Sequence, residues 1–359
     1  MGSGRIVLRM GWESGPVIPA LYTVLQSSRF MSPTSQNGRH PTTFRAKLPV
    51  TTELLLRRAR ELQRQLPLAI EGSDTGVHQA RVASRRLREA VPVLAGETKA
   101  RRKAERKIRK LTQALGTVRE MDVTVQILDE FAQSTSLPRN ALEDVRPHVI
   151  AERDRRRAVM LQRLRHVNSD KLNRRLQEAS IVAAVTNSAE WREALTSRVS
   201  HRTRRLRQAI HAAGQMYSAE QLHAVRIATK KLRYALELIA DARIAAVRPL
   251  VNTLKRAQET LGKLHDLQVI EHHVAAVHAL PPARRGAHDG GLKVIARTLA
   301  DECRHLHARY IKQVPALVRL LDTCDDTVLP QLSSAPVRRR RPLKMVGARA
   351  VRRPVERRA

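Results

Sequence analysis

Two histidines 145 residues apart each open the same run of cations. The stretch HQARVASRRLR at 78–88 returns as HAVRIATKKLR at 223–233, with five of eleven positions identical and four more conservative. On a helix, at about 100° per residue, His78, Arg81, Arg85 and Arg88 share a stripe about 80° wide. Ala80, Ala83, Leu87, Ala90, Val91 and Leu94 fall on the opposite side. The second copy sets His223, Arg226, Lys230 and Arg233 against Val225, Ala228, Leu232, Ala235, Leu236 and Ile239. Arg86 and Lys231 flank the stripes, about 80° from the histidines. Each helix thus offers three permanent cations and an imidazole along about 15 Å of its axis, which suits an extended anion charged at every unit. Arginine forks onto phosphate oxygens and lysine acts as a point charge. Histidine beside phosphate gains a proton, so binding is expected to be tighter at pH 6 than at pH 8. A single such face would be an ordinary solvated one. Its return in a second copy, with few acids at i+4, points to a ligand, because like charges this close destabilise a helix unless an anion answers them.

A second landmark follows each copy. LGTVREMDV at 115–123 matches LGKLHDLQV at 261–269, so a unit of roughly 140 residues is duplicated. The helix before the first landmark has an apolar stripe of Ala104, Ile108, Leu111, Leu115 and Val118, with Arg102, Arg106 and Arg109 opposite and Lys110 beside them. In the second unit Leu250, Leu254, Ala257 and Leu261 are apolar, and Lys255 and Arg256 are exposed. Arg106, Arg109, Lys110, Lys255 and Arg256 join the candidate anion site as its outer members. Arg119 is expected to pair with Glu120 or Asp122.

Other chemistries lack their residues. Gly262-Lys263 is followed by Leu264 and preceded by no phosphate-loop glycine, and no carboxylate cluster is spaced to hold Mg²⁺ for phosphoryl transfer. Cys303, His305 and His307 sit at i, i+2 spacing, which scatters them around a helix, so no metal site is expected. The expectation is a non-enzymatic binding protein with no cofactor.

The elements that must carry these residues are helices. Amphipathic runs are predicted near 51–66, 74–95, 99–117, 120–135, 139–178, 189–213, 218–240, 243–262, 265–280 and 289–321. Asp74 and Ser218 are the expected N-caps, and Gly72, Gly96, Gly214 and the stretch 281–291 the expected breaks. Pro92 should kink or end its helix. No window alternates with period two, so no sheet is predicted. The fold class is all-α. The core must be aliphatic, since aromatic residues are only 3% of the chain.

The net charge of +34 demands a polyanionic partner or an acidic surface. Residues 1–47 and 333–359 carry five and nine of these charges net, and +20 remains between them. Both flanks read as disordered, the second as a basic tail. Two cysteines imply no disulfide framework, and no apolar stretch is long enough to span a bilayer. A cytoplasmic protein without a membrane partner is expected.

The repeated H-x-x-R-[VI]-x-x-[RK]-[RK]-L-R block followed by L-G-x-x-x-[ED] resembles the CHAD family, the histidine-marked α-helical domains, over about residues 50 to 325. Tyr234 after KKLR resembles the family's second copy. The resemblance implies two pseudo-symmetric helical bundles, at 48–188 and 189–332, with a basic groove between them. It also implies binding of inorganic polyphosphate and, for some members, localisation at polyphosphate granules. The ligand-facing set it implies is His78, Arg81, Arg85, Arg86, Arg88, His223, Arg226, Lys230, Lys231 and Arg233. Many relatives carry an N-terminal triphosphatase-like domain, and residues 1–47 are too short for one. His265 stands where the family commonly has Asn. The rival readings are a nucleic-acid or nucleoid binder acting through the basic tail, a polyphosphate-processing enzyme, and a granule protein with an apolar surface.

Overall fold

The computed structural model describes residues 48–133, 137–185, 188–281 and 288–334. The flanks expected to be disordered lie outside these residues, save 333 and 334. The described residues are all-α. Ten α-helices follow one another: α1 Val50–Ile70, α2 Asp74–Leu94, α3 Lys99–Gln133, α4 Arg139–Arg165, α5 Ser169–Val185, α6 Ser188–Ala213, α7 Ala219–Asp241, α8 Arg248–His278, α9 Asp289–Thr323 and, after a π-helical turn at Cys324–Val328, α10 Leu329–Ser334.

Local chemistry sets the ends. Ser73 caps α2, its Oγ accepting from the Gly76 N–H at 3.1 Å. The expected cap, Asp74, is instead the first helical residue, where its charge favours the positive helix end. Gly76 is there for close packing: a Cβ would lie 2.7 Å from the Leu68 Cβ of α1. Ser218 caps α7, accepting from the Gln221 N–H at 3.4 Å. Gly72 and Gly214 take φ of 93° and 55° after α1 and α6.

Three predicted boundaries are corrected. Helices 99–117 and 120–135 are one, α3; so are 243–262 and 265–280, in α8. A single interior glycine costs a helix only about 1 kcal/mol, and the buried stripes of α3 and α8 run through Gly116 and Gly262 without interruption. The predicted helix 139–178 is two, α4 and α5. Asn168 starts the second, its Oδ1 accepting from the Lys171 N–H at 2.6 Å. Pro92 lies in the last turn of α2, which runs two residues past it.

The four largest helix contacts in the first five helices have counterparts in the second five, while the packing of α3 on α5 has no comparable counterpart. α1 packs on α2, α2 on α3, α3 on α4 and α1 on α5; α6 packs on α7, α7 on α8, α8 on α9 and α6 on α10. The apolar stripes predicted for α2 and α7 are buried throughout, and the core is contiguous from Leu54 to Leu332. The halves meet through α2 against α6 and α7, α3 against α8, and α4 against α8 and α9. That contact brings the two cation stripes together.

Candidate anion-binding site

Burying one side of α2 and of α7 in the core turns the opposite sides toward each other. Arg81 and Arg85 of α2 lie in electrostatic contact with Arg226 and Lys230 of α7. All four are half-buried, and among the described residues none has a carboxylate within 4.0 Å. The cost shows in their protonation. Burial, then the charges of Arg226, Arg85 and Arg81, hold the Lys230 ammonium down to about 6. Burial, then Arg85 and Arg226, bring Arg81 down to about 10. Burial also lowers Arg226, whose Nε is enclosed without a hydrogen-bond partner. A buried cation without a partner is costly, and a lysine relieves that cost by giving up its proton.

Two carboxylates border the cluster, one from each Leu-Gly landmark. Glu120 receives His265 Nε2 at 3.3 Å and Arg156 Nη1 at 3.2 Å, and these hold its carboxyl down to about 2. Arg119 lies near Asp122, one of its two expected partners, and near His78. Glu120 is taken by Arg156 because antiparallel packing of α3 on α4 brings that side chain alongside. Asp266 is raised by burial, against the pull of Arg226, His265 and Lys230.

Each motif histidine borders a cavity. His78 lines one of about 610 Å³ with Asp74, Arg119, Asp122 and Arg153. His223 lines one of about 310 Å³ with His265, His272, His273, Glu120 and Arg156. Burial lowers both histidines first, and neighbouring cations lower them further. In the free protein they are therefore neutral near pH 7, and a bound anion would return their protons.

The remaining predicted site residues are distributed around this centre. Arg88 and Lys231 lie on the side where Glu89 of α2 receives Arg198 Nε at 2.8 Å and Arg202 Nη2 at 3.2 Å from α6. Arg86 and Arg233 converge on Glu237, at 3.4 and 2.7 Å, and Arg233 also stacks over the Tyr234 ring at 4.6 Å. Lys255 shares the cavity beside them with Arg57, Arg58 and Arg248. Arg256 is exposed and donates to Thr253 Oγ1. Arg106, Arg109 and Lys110 are exposed on α3, more than a turn from Gly116, which touches the cluster.

Sequence reasoning missed Arg57, Arg58, Arg198 and Arg202, which come from α1 and α6 and carry no repeated signature. It did mark Glu120 and Asp266 as repeated, without their place beside the cations. Among the described residues no group of three or more His, Cys, Asp or Glu is placed to hold a metal ion, and no helix is long and apolar enough to cross a membrane.

Two solved structures are similar to this chain. The crystal structure of the CHAD domain from the plant Ricinus communis is 22% identical, with a TM-score of 0.47, over 84% of this chain and 99% of that one. PptA from Streptomyces chartreusis is 17% identical, with a TM-score of 0.50, over 76% of this chain and 97% of that one, a likeness of fold. No curated protein matches. The CHAD domain family model matches residues 53–275, which include both motif helices and both landmarks. The chain belongs to the CHAD domain family.

Proposed function

We propose that the protein binds inorganic polyphosphate, without catalysis, between its two motif helices. The observation that carries this reading is the meeting of Arg81, Arg85, Arg226 and Lys230 with no carboxylate in pairing distance. A cluster of cations from two facing helices fits a thin anion with charge at every unit. Lined from two sides, it admits a single phosphate chain more readily than a rigid duplex. The same reading takes 48–188 and 189–332 as copies of one unit, with the groove along their contact. It assigns the protein to the cytoplasm, at polyphosphate granules. Affinity should fall steeply with salt as counterions are released on binding.

The test is a titration of the full chain with labelled long-chain polyphosphate at about 150 mM salt, a concentration at which exposed charges are screened beyond about 8 Å. The Arg81/Arg85/Arg226/Lys230→Ala variant should lose at least a hundredfold in affinity while remaining helical by circular dichroism. Retained affinity in that variant would move the ligand off the α2–α7 contact.

A further inference from the structure

The cations of α3 form a second basic surface that the groove does not use. Between Lys99 and Lys110 this helix carries, besides the paired Arg101, cations at 99, 102, 103, 106, 107, 109 and 110. At about 100° per residue they cover about 160° of one side, along about 16 Å of helix. The one acid in the stretch, Glu105, lies outside that arc and receives Arg101 at 3.2 Å. α5 widens the surface, since Lys171 and Arg175 stand close enough to Lys107 to lower it, after burial as the first cause.

Several arginines elsewhere are neutralised. Arg153, Arg155, Arg156 and Arg157 of α4 pair with Asp154, Glu152, Glu120 and Asp74. Arg207 of α6 spans Asp322 and Asp325. On the α3–α5 ridge, among the described residues, none of Arg102, Arg106, Lys107, Lys110, Lys171 or Arg175 has an acid within 4.0 Å. At the offset of 146 that aligns the Leu-Gly landmarks, Lys103, Arg106 and Lys107 correspond to Pro249, Asn252 and Thr253, whereas Arg102, Arg109 and Lys110 correspond to Arg248, Lys255 and Arg256. The ridge is therefore denser in the first half, and what is repeated does not account for Lys103, Arg106 and Lys107.

We propose that this ridge docks the phosphate backbone of duplex nucleic acid. A convex surface two helices wide offers rows of cations to rows of phosphates, whereas a groove encloses one chain. Single strands are usually held by stacking on aromatic rings, and the ridge has none. A membrane surface would be met by a row of exposed apolar side chains beside the cations; among the described residues Val182 is the one large exposed apolar residue on α3 or α5, and Met216, Leu68 and Val294 lie elsewhere. Contacts to phosphate alone carry no sequence preference.

The test uses the full chain, so the basic tail is present in every variant. A labelled mixed-sequence duplex and long-chain polyphosphate are titrated separately across a salt series, with anionic phospholipid vesicles as a third ligand. The ridge variant is Lys103/Lys107/Lys171→Glu, and the matched control is Arg309/Lys312/Arg319→Glu on the exposed side of α9. The expected result is a loss of at least tenfold in duplex affinity for the ridge variant and of less than threefold for the control. The log–log salt slope should also flatten by about three, near one unit per phosphate contact removed. Polyphosphate affinity should stay within threefold, which separates this surface from the groove whether or not the groove variant loses polyphosphate. Equal losses in ridge and control variants would overturn the proposal in favour of net charge. Parallel loss of duplex and polyphosphate would make the ridge an arm of the groove. A loss confined to vesicles would make it a membrane surface.

Discussion

The two halves of this chain share a motif and differ around it. Position for position, α2 and α7 present the same histidine and cation stripe and bury the same apolar stripe. Beyond the stripe the copies diverge. Arg85 in the first half is Lys230 in the second, Glu120 is Asp266, and Gly116 crowds a cation while Gly262 faces open space. The ion pairs that tie the halves differ too. Glu89, with its side chain 5% exposed, holds Arg198 and Arg202, whereas Asp241, 29% exposed, holds Arg57 and Arg58. What recurs is the set of groups that would meet a ligand; what varies is how each half tolerates holding them.

The largest effect should come from the buried tie. Glu89→Ala leaves two arginines enclosed without their acid, and breaking such a pair costs about 3–5 kcal/mol. Asp241→Ala removes the less buried counterpart and should cost less, between about 1 kcal/mol for a pair in solvent and the figure for the buried tie. Urea unfolding at constant slope measures both. Equal losses would mean that burial does not separate the two ties.

Lys230 sharpens the contrast at the position it shares with Arg85. Its neighbours are Arg226 on its own helix, Arg81 and Arg85 from α2, and Asp266 from α8. Its folded value of about 6 lies below the ordinary 10.5, so between these limits the unfolded chain holds a proton that the folded chain does not. The lysine's contribution to stability therefore rises with pH across that window. Lys230→Met should accordingly stabilise the fold most near pH 6, with the gain shrinking toward pH 10. Binding has the opposite sense. Above pH 6 an incoming polyanion must bring a proton to Lys230, so affinity should fall from pH 6 to pH 8. Lys230→Arg, charged throughout, should bind roughly ten- to a hundredfold more tightly than the parent at pH 8, from the two-unit gap at tenfold per unit. Identical pH profiles for parent and Lys230→Arg would assign the pH dependence to His78 and His223.

The repeated stripe was legible because a helix puts residues three and four apart on one side, and a repeat of that spacing is visible without a structure. Caps and glycine turns at Ser218, Gly72 and Gly214 were legible from residue type. The partition of the stripe was not. Arg233 meets Glu237 at i,i+4 within α7, but whether Arg86 faces a ligand or shares that carboxylate depends on α7 meeting α2, a contact between residues about 150 apart with no local trace. The α4–α5 break was missed because Asn168 carries it without a proline or glycine. The continuity of α3 and α8 was missed because a lone glycine reads as a stop when its tertiary packing is unknown.

That glycine supplies the smallest and most selective comparison. A Cβ at Gly116 would stand 2.6 Å from Arg81 Nη1, while at Gly262 nothing lies within 4 Å. Both sites are helical, and alanine is favoured over glycine in a helix interior by up to about 1 kcal/mol. Gly262→Ala should therefore raise the unfolding midpoint and leave polyphosphate affinity unchanged. Gly116→Ala gains the same helix propensity but must swing the Arg81 guanidinium aside. The end of a long side chain moves at little cost to folding, so stability should change by less than about 1 kcal/mol. The moved guanidinium no longer faces Arg226 across the helix contact, and affinity should fall about three- to tenfold, the equivalent of one weakened charge-assisted contact. A paired titration and melt of the two variants measures this. If Gly116→Ala binds as well as Gly262→Ala, Arg81 is not held in place through Gly116, and the second half's freedom at that position carries no functional meaning.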